Sequence, residues 1–228
     1  MATRICWLGH ACVLIETNGQ SILIDPFLTG NPAATTKASD VPADFILVSH
    51  GHGDHLGDAV EIAQRTGATV IANYEISEWL KKQGLAKVHG QQHGGSYEHG
   101  FGRVKFTPAF HGSVLPDGTY GGNPCGFILY LNDGKRIYDA GDTGLFGDMR
   151  LIGEQGIDLA ILPIGDNYTM GPDDAARAVK LIQPKKVLPI HYNTWEIIAQ
   201  DPTPWAARVR RETATEPVIL SPGGWMSL

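Results

Sequence analysis

Residues 48–55 read Val-Ser-His-Gly-His-Gly-Asp-His, three imidazoles and a carboxylate within six positions, parted only by glycine. Imidazole nitrogen is the commonest protein ligand for transition metals, and carboxylate oxygen joins it in many of the same shells. In an extended chain side chains alternate, so His50, His52 and Asp54 project to one side. Gly51 and Gly53 leave the other side bare and let the backbone bend sharply or approach an ion closely. His55 breaks the alternation and faces a second point, which suits two neighbouring metal ions better than one. A polar loop between a strand and a helix is the plainer reading, and it leaves the density of ligand-type side chains without a reason.

Four separate apolar runs end in residues of this kind. Residues 45–48 lead to His50, 104–110 to His111, 136–141 to Asp142, and 186–190 to His191. Strand ends gathered at one edge of a pair of sheets would assemble five histidines and two aspartates, enough for two ions with positions left for water and substrate. Each residue alone could be a buried, hydrogen-bonded polar group; four such endings together with the cluster carry the metal reading. His10, at the Gly9-His10 corner, is either a turn residue or an active-site residue, since it too sits at a strand end. Asp25 either caps the turn before Pro26 or orients a ligand histidine from behind. Tyr192, Asn193 and Trp195 follow His191 as pocket or as packing residues. His89, His93 and His99 lie among Gly, Gln, Ser and Glu and read as solvated hairpin residues. Cys125 precedes a strand rather than ending one and reads as a buried thiol.

The elements that must hold these residues follow from hydrophobic period and turn chemistry. Strands are expected at 4–8, 12–17 and 21–24, with Asn18-Gly19 as a hairpin turn between the second and third. The all-apolar run 45–48 reads as a strand covered on both faces. Asp58 with Glu61 spells a capping box, and Gly67 is placed to stop the helix. A strand at 69–72 and a helix at 75–83 continue a βαβα rhythm. Strands at 104–110, 125–131, 136–139, 159–162 and 186–189 follow, with 132–134 as a second hairpin turn. Helices are expected near 146–154, from Gly171-Pro172, and from Thr203-Pro204. Residues 218–220 close the fold. The polar loop at 28–40 and the glycine-rich loop at 112–123 are candidate borders of the site. With no low-complexity linker, residues 1–228 read as one domain.

The formal charge of −6 and the lack of a basic run argue against avid binding to long nucleic acid or an acidic membrane. Three cysteines without a C-x-x-C pair do not form a disulfide framework, which favours a reducing compartment. The first residues lack the apolar core of a signal peptide, and no apolar run approaches the ~20 residues that span a bilayer. A cytoplasmic protein acting on a small molecule, compatible with a homo-oligomer, is the expectation.

The motifs at 23–27 (LIDPF), 49–55 (SHGHGDH), 121–126 (GGNPCG), 140–143 (AGDT) and 189–194 (PIHYNT) resemble the metallo-β-lactamase superfamily. More narrowly they resemble small bacterial and archaeal metal-dependent hydrolases akin to the ascorbate-6-phosphate lactonase branch. The resemblance implies an α/β fold, an αββα sandwich of two mixed β-sheets flanked by helices, with metals at one edge of the sheets. It implies one metal on His50, His52 and His111, a second on Asp54, His55 and His191, and Asp142 bridging both. A ligand set without thiolate takes Zn²⁺, Mn²⁺ or Fe, with Zn²⁺ the first choice. Two such ions would activate a water for attack on a small ester-type substrate, a phosphodiester, lactone or related compound. Asp54 would take or pass the proton, and His10, a water linked to His55 or a metal would assist the leaving group. Two other readings use the same residues: a di-iron oxidoreductase on this scaffold, and a non-catalytic module that metals only stabilise.

Overall fold

Along the strands, alternate apolar side chains fall into different cores, as a period of two requires. Ile5 and Trp7 join one cluster while Cys6 and Leu8 join another, and Ile22 and Ile24 are divided from Leu23 in the same way. The computed structural model describes residues 2–228. Its first half comprises β1 (Arg4–Gly9), β2 (Cys12–Thr17), β3 (Gln20–Ile24), β4 (Phe45–Leu47), α1 (Gly53–Leu56), α2 (Ala59–Thr66), β5 (Thr69–Asn73), α3 (Tyr74–Lys82) and β6 (Val88–Gln91). The second half comprises β7 (Ser96–His99), β8 (Gly102–Pro108), β9 (Cys125–Leu131), β10 (Arg136–Asp139), α4 (Met149–Gly153), β11 (Leu159–Pro163), α5 (Pro172–Ile182), β12 (Lys186–Ile190), α6 (Pro202–Glu212), β13 (Glu216–Pro217) and β14 (Trp225–Ser227).

The strands form two seven-stranded sheets, ordered β14-β1-β2-β3-β4-β5-β6 and β13-β12-β11-β10-β9-β8-β7. Each sheet is antiparallel on one side and parallel on the other: β3 to β6 run parallel, as do β10 to β13. Helices α2 and α3 cover the first sheet through Ala59, Ile62, Ile76 and Leu80. Helices α5 and α6 cover the second through Ala175, Val179, Ile182, Trp205 and Val209. This is an αββα sandwich of two mixed sheets. Parallel strands point their carboxyl ends the same way, so β4, β10 and β12 release their following residues at one edge.

Several local expectations need correcting. The stretch after His52 is not extended: Gly53–Leu56 is a short helix, with His52 at its N-cap. Asp54 therefore turns away from the His50–His52 side. The capping box at Asp58 does not form; its carboxylate accepts from the amides of Leu28 and Thr29, both at 2.8 Å, and ties down the chain after Pro26 instead. Helix α6 starts one residue early, at Pro202, with Asp201 accepting from Thr203 N. Residues 218–220 form no strand, and the first sheet is completed by β14, which pairs with β1. Residues 88–99 are no hairpin either, because β6 pairs with β5 and β7 with β8, so the chain crosses there from one sheet to the other.

Candidate metal centre

Asp25 sits in the left-handed region at φ 46°, just past β3, and its carboxylate reaches into the first residues after β4. One oxygen accepts from Ser49 N at 2.8 Å; the other accepts from Ser49 Oγ at 2.5 Å and from His55 Nδ1 at 2.7 Å. Ser49 Oγ spends its proton on Asp25, so at 3.0 Å it accepts from His50 Nδ1. Both His50 and His55 thus carry their proton on Nδ1 and keep the Nε2 lone pair for the other side. A carboxylate that fixes ligand tautomers from behind is a recurring support of metal sites.

Besides the supporting set of Asp25, His50 and His55, two groups of donor atoms result, each gathered within 4.8 Å: His50, His52 and His111, and His10, Asp54, His55 and His191. In the first, His52 Nδ1 stands 2.9 Å from His50 Nε2 and 3.3 Å from His111 Nε2. One proton can satisfy only one of those pairs, whereas a cation accepts all three lone pairs. Asp142 is buried between the groups: its Oδ2 lies 3.0 Å from His191 Nε2, 3.2 Å from His55 Nε2 and 3.6 Å from His111 Nε2. His55 Nε2, both ring nitrogens of His191 and Asp142 Oδ1 are nonetheless buried without a hydrogen-bond partner. Orphaned donors of this kind are costly inside a protein unless something else occupies them. The donor set of imidazole and carboxylate fits divalent zinc, manganese or iron.

The electrostatics agree. Burial pushes the Asp142 carboxyl up, but the His191 and His55 imidazoles outweigh it and hold it well below the usual carboxylate range. Burial drives His50 well below the usual imidazole value, which keeps its lone pair free. His55 is opposed by burial yet held well above the ordinary value by Asp142 and Asp25, a proton that a cation at Nε2 would replace.

His10, which the sequence left between a turn and an active-site residue, is fully buried. Burial pulls its imidazole down to about 4, against the pull of Asp54. Its Nε2 lies 3.1 Å from Asp54 Oδ2 and its Nδ1 2.7 Å from Thr194 Oγ1. His10 O accepts from Trp7 Nε1 and from His191 N, tying β1 to the end of β12. His10 and His191 both adopt φ 55°, a strained region for such residues that persists where surrounding structure enforces it. Gly141 must be glycine for similar reasons: its φ is 57° and a Cβ would stand 2.8 Å from Cys125 O.

Above the donors opens a cavity of about 690 Å³ whose outer wall is Phe27, Tyr168, Trp195 and Ile197. Of the three residues read after His191, only Trp195 lines it. Tyr192 is buried and stacks on Trp7 at 5.2 Å, and Asn193 Oδ1 accepts from Gln200 N, so neither faces the cavity. The loop at 28–40 gives no wall residue, and in the 112–123 loop Ser113 Oγ accepts from Gly51 N, behind the motif. Cys125 is a buried thiol, as expected. His89, His93 and His99 stand in neither donor group; all three are half-buried rather than solvated. Tyr168 and Ile197 were not singled out by the sequence, and Ser49, Thr194 and Phe27 entered only as members of the motifs at 49–55, 189–194 and 23–27, with no role of their own. Only Ser49, wedged between an apolar strand and the first histidine, carried a local signal.

The fold and the paired donor groups define a class, and comparison agrees: the chain belongs to the metallo-β-lactamase superfamily, residues 4–191 matching the family described as beta-lactamase superfamily domain. It is 53% identical over 230 residues to a protein of Pelotomaculum thermopropionicum named UPF0173 metal-dependent hydrolase, covering 99% of this chain and 100% of that one. A Thermus thermophilus protein of the same family name is 52% identical over 220 residues, 96% of each chain. Among solved structures, Igni18, a metallo hydrolase from Ignicoccus hospitalis, superimposes with a TM-score of 0.91 at 36% identity, covering 100% of this chain and 99% of that one.

Proposed function

We propose that the protein is a metal-dependent hydrolase acting on a small ester-type substrate, a lactone, phosphodiester or related compound. The lactonase likeness in its motifs belongs to this reading. The observation that carries it is the set of orphaned, converging donors at the floor of an open cavity. His50, His52 and His111 would hold one divalent cation, Asp54, His55 and His191 a second, and Asp142 would serve both. Such a pair, when bound, supplies Lewis acidity and lowers the pKa of water toward neutrality. Zn²⁺ is the first choice and Mn²⁺ or Fe the alternatives.

The chain's own part is positional and acid–base. Asp54 borders the cavity, and with Oδ2 engaged by His10 its other oxygen would serve both as a ligand to the second cation and as acceptor of the proton of the attacking water. Burial would raise Asp54, but the His10 hydrogen bond and the nearby His55 hold it well below the usual carboxylate range, so it stays an acceptor. His10 lies behind Asp54 and does not line the cavity, so it acts as a positioning residue, which leaves the other two assistants to the leaving group, a water linked to His55 or a metal. Phe27 and Trp195 give the cavity an apolar far wall.

The test joins metal analysis to a screen of lactones, phosphodiesters and thioesters on one preparation. Two metals per chain and hydrolysis of one class are expected. D54N should lose about 10²-fold or more in kcat, the scale of a lost general base, and bind the second metal more weakly. Unchanged turnover and metal content in D54N would remove Asp54 from the mechanism. Iron with oxygen uptake and no hydrolysis would replace this reading by a di-iron oxidoreductase, and full metal occupancy with no reaction by a metal-stabilised module.

A further inference from the structure

Of the six loops that gather at the site edge, residues 49–58, 109–124, 140–148, 164–171 and 190–201 contain none of the chain's 18 lysines and arginines, and the sixth, 25–44, carries Lys37 alone, exposed and outside the cavity wall. The cavity wall shows the same: its only carboxylates are Asp54, in one donor group, and Asp142, which lies between the two groups, and it holds no Lys or Arg. Beyond Gly53 and the ligand-type His52, His111 and His191, the wall is Phe27, Tyr168, Trp195 and Ile197, of which Tyr168 and Ile197 are 53% and 57% exposed. Large apolar side chains kept open to water around a cavity mark a surface that binds apolar matter. Phosphate and carboxylate recognition normally uses Arg or Lys, because an anion moved into a cavity without a counter-charge loses its hydration and gains nothing. With no Lys or Arg in the wall, the positive field at the cavity would come from the cations that the donor groups would hold, and it would be spent at the reacting centre.

We infer that the substrate's non-reacting part is uncharged and apolar, an aryl or alkyl group laid against Trp195, Ile197, Tyr168 and Phe27, and that substrates with a phosphate or carboxylate remote from the scissile bond are rejected. This rests on the hydrolase reading and narrows it: neutral acyl lactones and aryl esters fit, whereas sugar phosphates and nucleotides do not.

The experiment uses the metal-loaded full chain and three lactones alike in the ring and differing in the tail: phenyl, carboxylate and trimethylammonium. Their hydrolysis-resistant lactam counterparts are titrated by calorimetry. The phenyl compound should exceed both charged ones by about tenfold or more in kcat/KM, the scale that a hydrophobic pocket gives for small changes in fit, and its lactam should bind correspondingly tighter. W195A should raise KM for the phenyl compound with metal content unchanged. I197R, which places a cation in the wall at an exposed position, should turn the preference toward the carboxylate tail. Equal or better binding of either charged lactam by the unaltered protein overturns the inference. If no lactone is cleaved at full metal occupancy, hydrolysis of that class fails, yet the lactam series still decides whether the wall prefers apolar tails.

Discussion

His10 is neutral in its buried setting, so its ring carries one N–H, and the two atoms facing it determine where that proton sits. Ionised Asp54 can only accept, which places the proton on Nε2 and leaves Nδ1 as an acceptor. Thr194 Oγ1, buried and 2.7 Å away, must then donate. The chain Thr194 to His10 to Asp54 therefore has a fixed polarity that aims one carboxylate oxygen away from the cavity. T194V removes the donor while keeping the shape, and it should weaken binding of the second metal and shift His10 toward a mixture of tautomers. Nitrogen-15 spectra of the imidazole and metal titration read these effects, and T194S should restore both. A T194V protein with an unaltered tautomer and metal affinity would show that the hydroxyl merely fills space. The sequence placed Thr194 at the end of the 189–194 motif but gave it no role, because that role depends on a partner 184 positions away.

At the scale of elements, the turn after β3 supports the delivery from β4 through a single carboxylate. Because Asp25 sets the tautomer of His55 directly and of His50 through Ser49, D25N should disturb both donor groups at once. A loss of about 10- to 100-fold in metal affinity is expected, the usual cost of removing such a support, against a smaller loss for S49A, whose hydroxyl meets Asp25 and, of the ligand histidines, only His50. Equal losses in the two variants would show that Asp25 does not act on His55. The sequence made this element legible in part: an all-apolar strand before a histidine, and an aspartate before Pro26, were both readable locally. What it did not convey was the helix at Gly53–Leu56, four residues long and too short for any periodic signal. That helix splits Asp54 and His55 from His50 and His52, a division that side-chain alternation alone assigns differently. The missed strand β14 has the same origin, since three residues acquire strand geometry only by pairing with β1.

In the whole molecule the centre lies at one edge of the sandwich, and a second aromatic cluster stands away from it, where β6 and β7 leave their sheets. There His99 stacks on Phe101 at 5.7 Å and meets Phe45 edge-on at 5.8 Å, with His89 at 5.1 Å. Burial, assisted by His89, lowers its imidazole from 6.5 to about 4. The native state therefore binds a proton less readily than the unfolded chain does, so stability is full above pH 6.5 and declines as pH falls toward 4. H99F should flatten that acid limb, raising the melting temperature at pH 5 relative to wild type while changing it little at pH 8; parallel curves for the two proteins would exclude His99 as the cause. Chelation should act at the other edge. Cations bound only by the native chain add about 2.7 kcal/mol at a hundredfold excess over Kd, so EDTA should lower the melting temperature, and a null result would mean that the donors are empty in solution.

The donors come from both halves of the sandwich, His50, His52, Asp54 and His55 following strands of one sheet and His111, Asp142 and His191 following strands of the other. Any slippage between the two layers therefore changes every interatomic span in the shell at once. Ions seated there act as rivets through a laminate: they stiffen the seam where both layers meet, and their removal should quicken amide hydrogen exchange on the two sides together rather than on one.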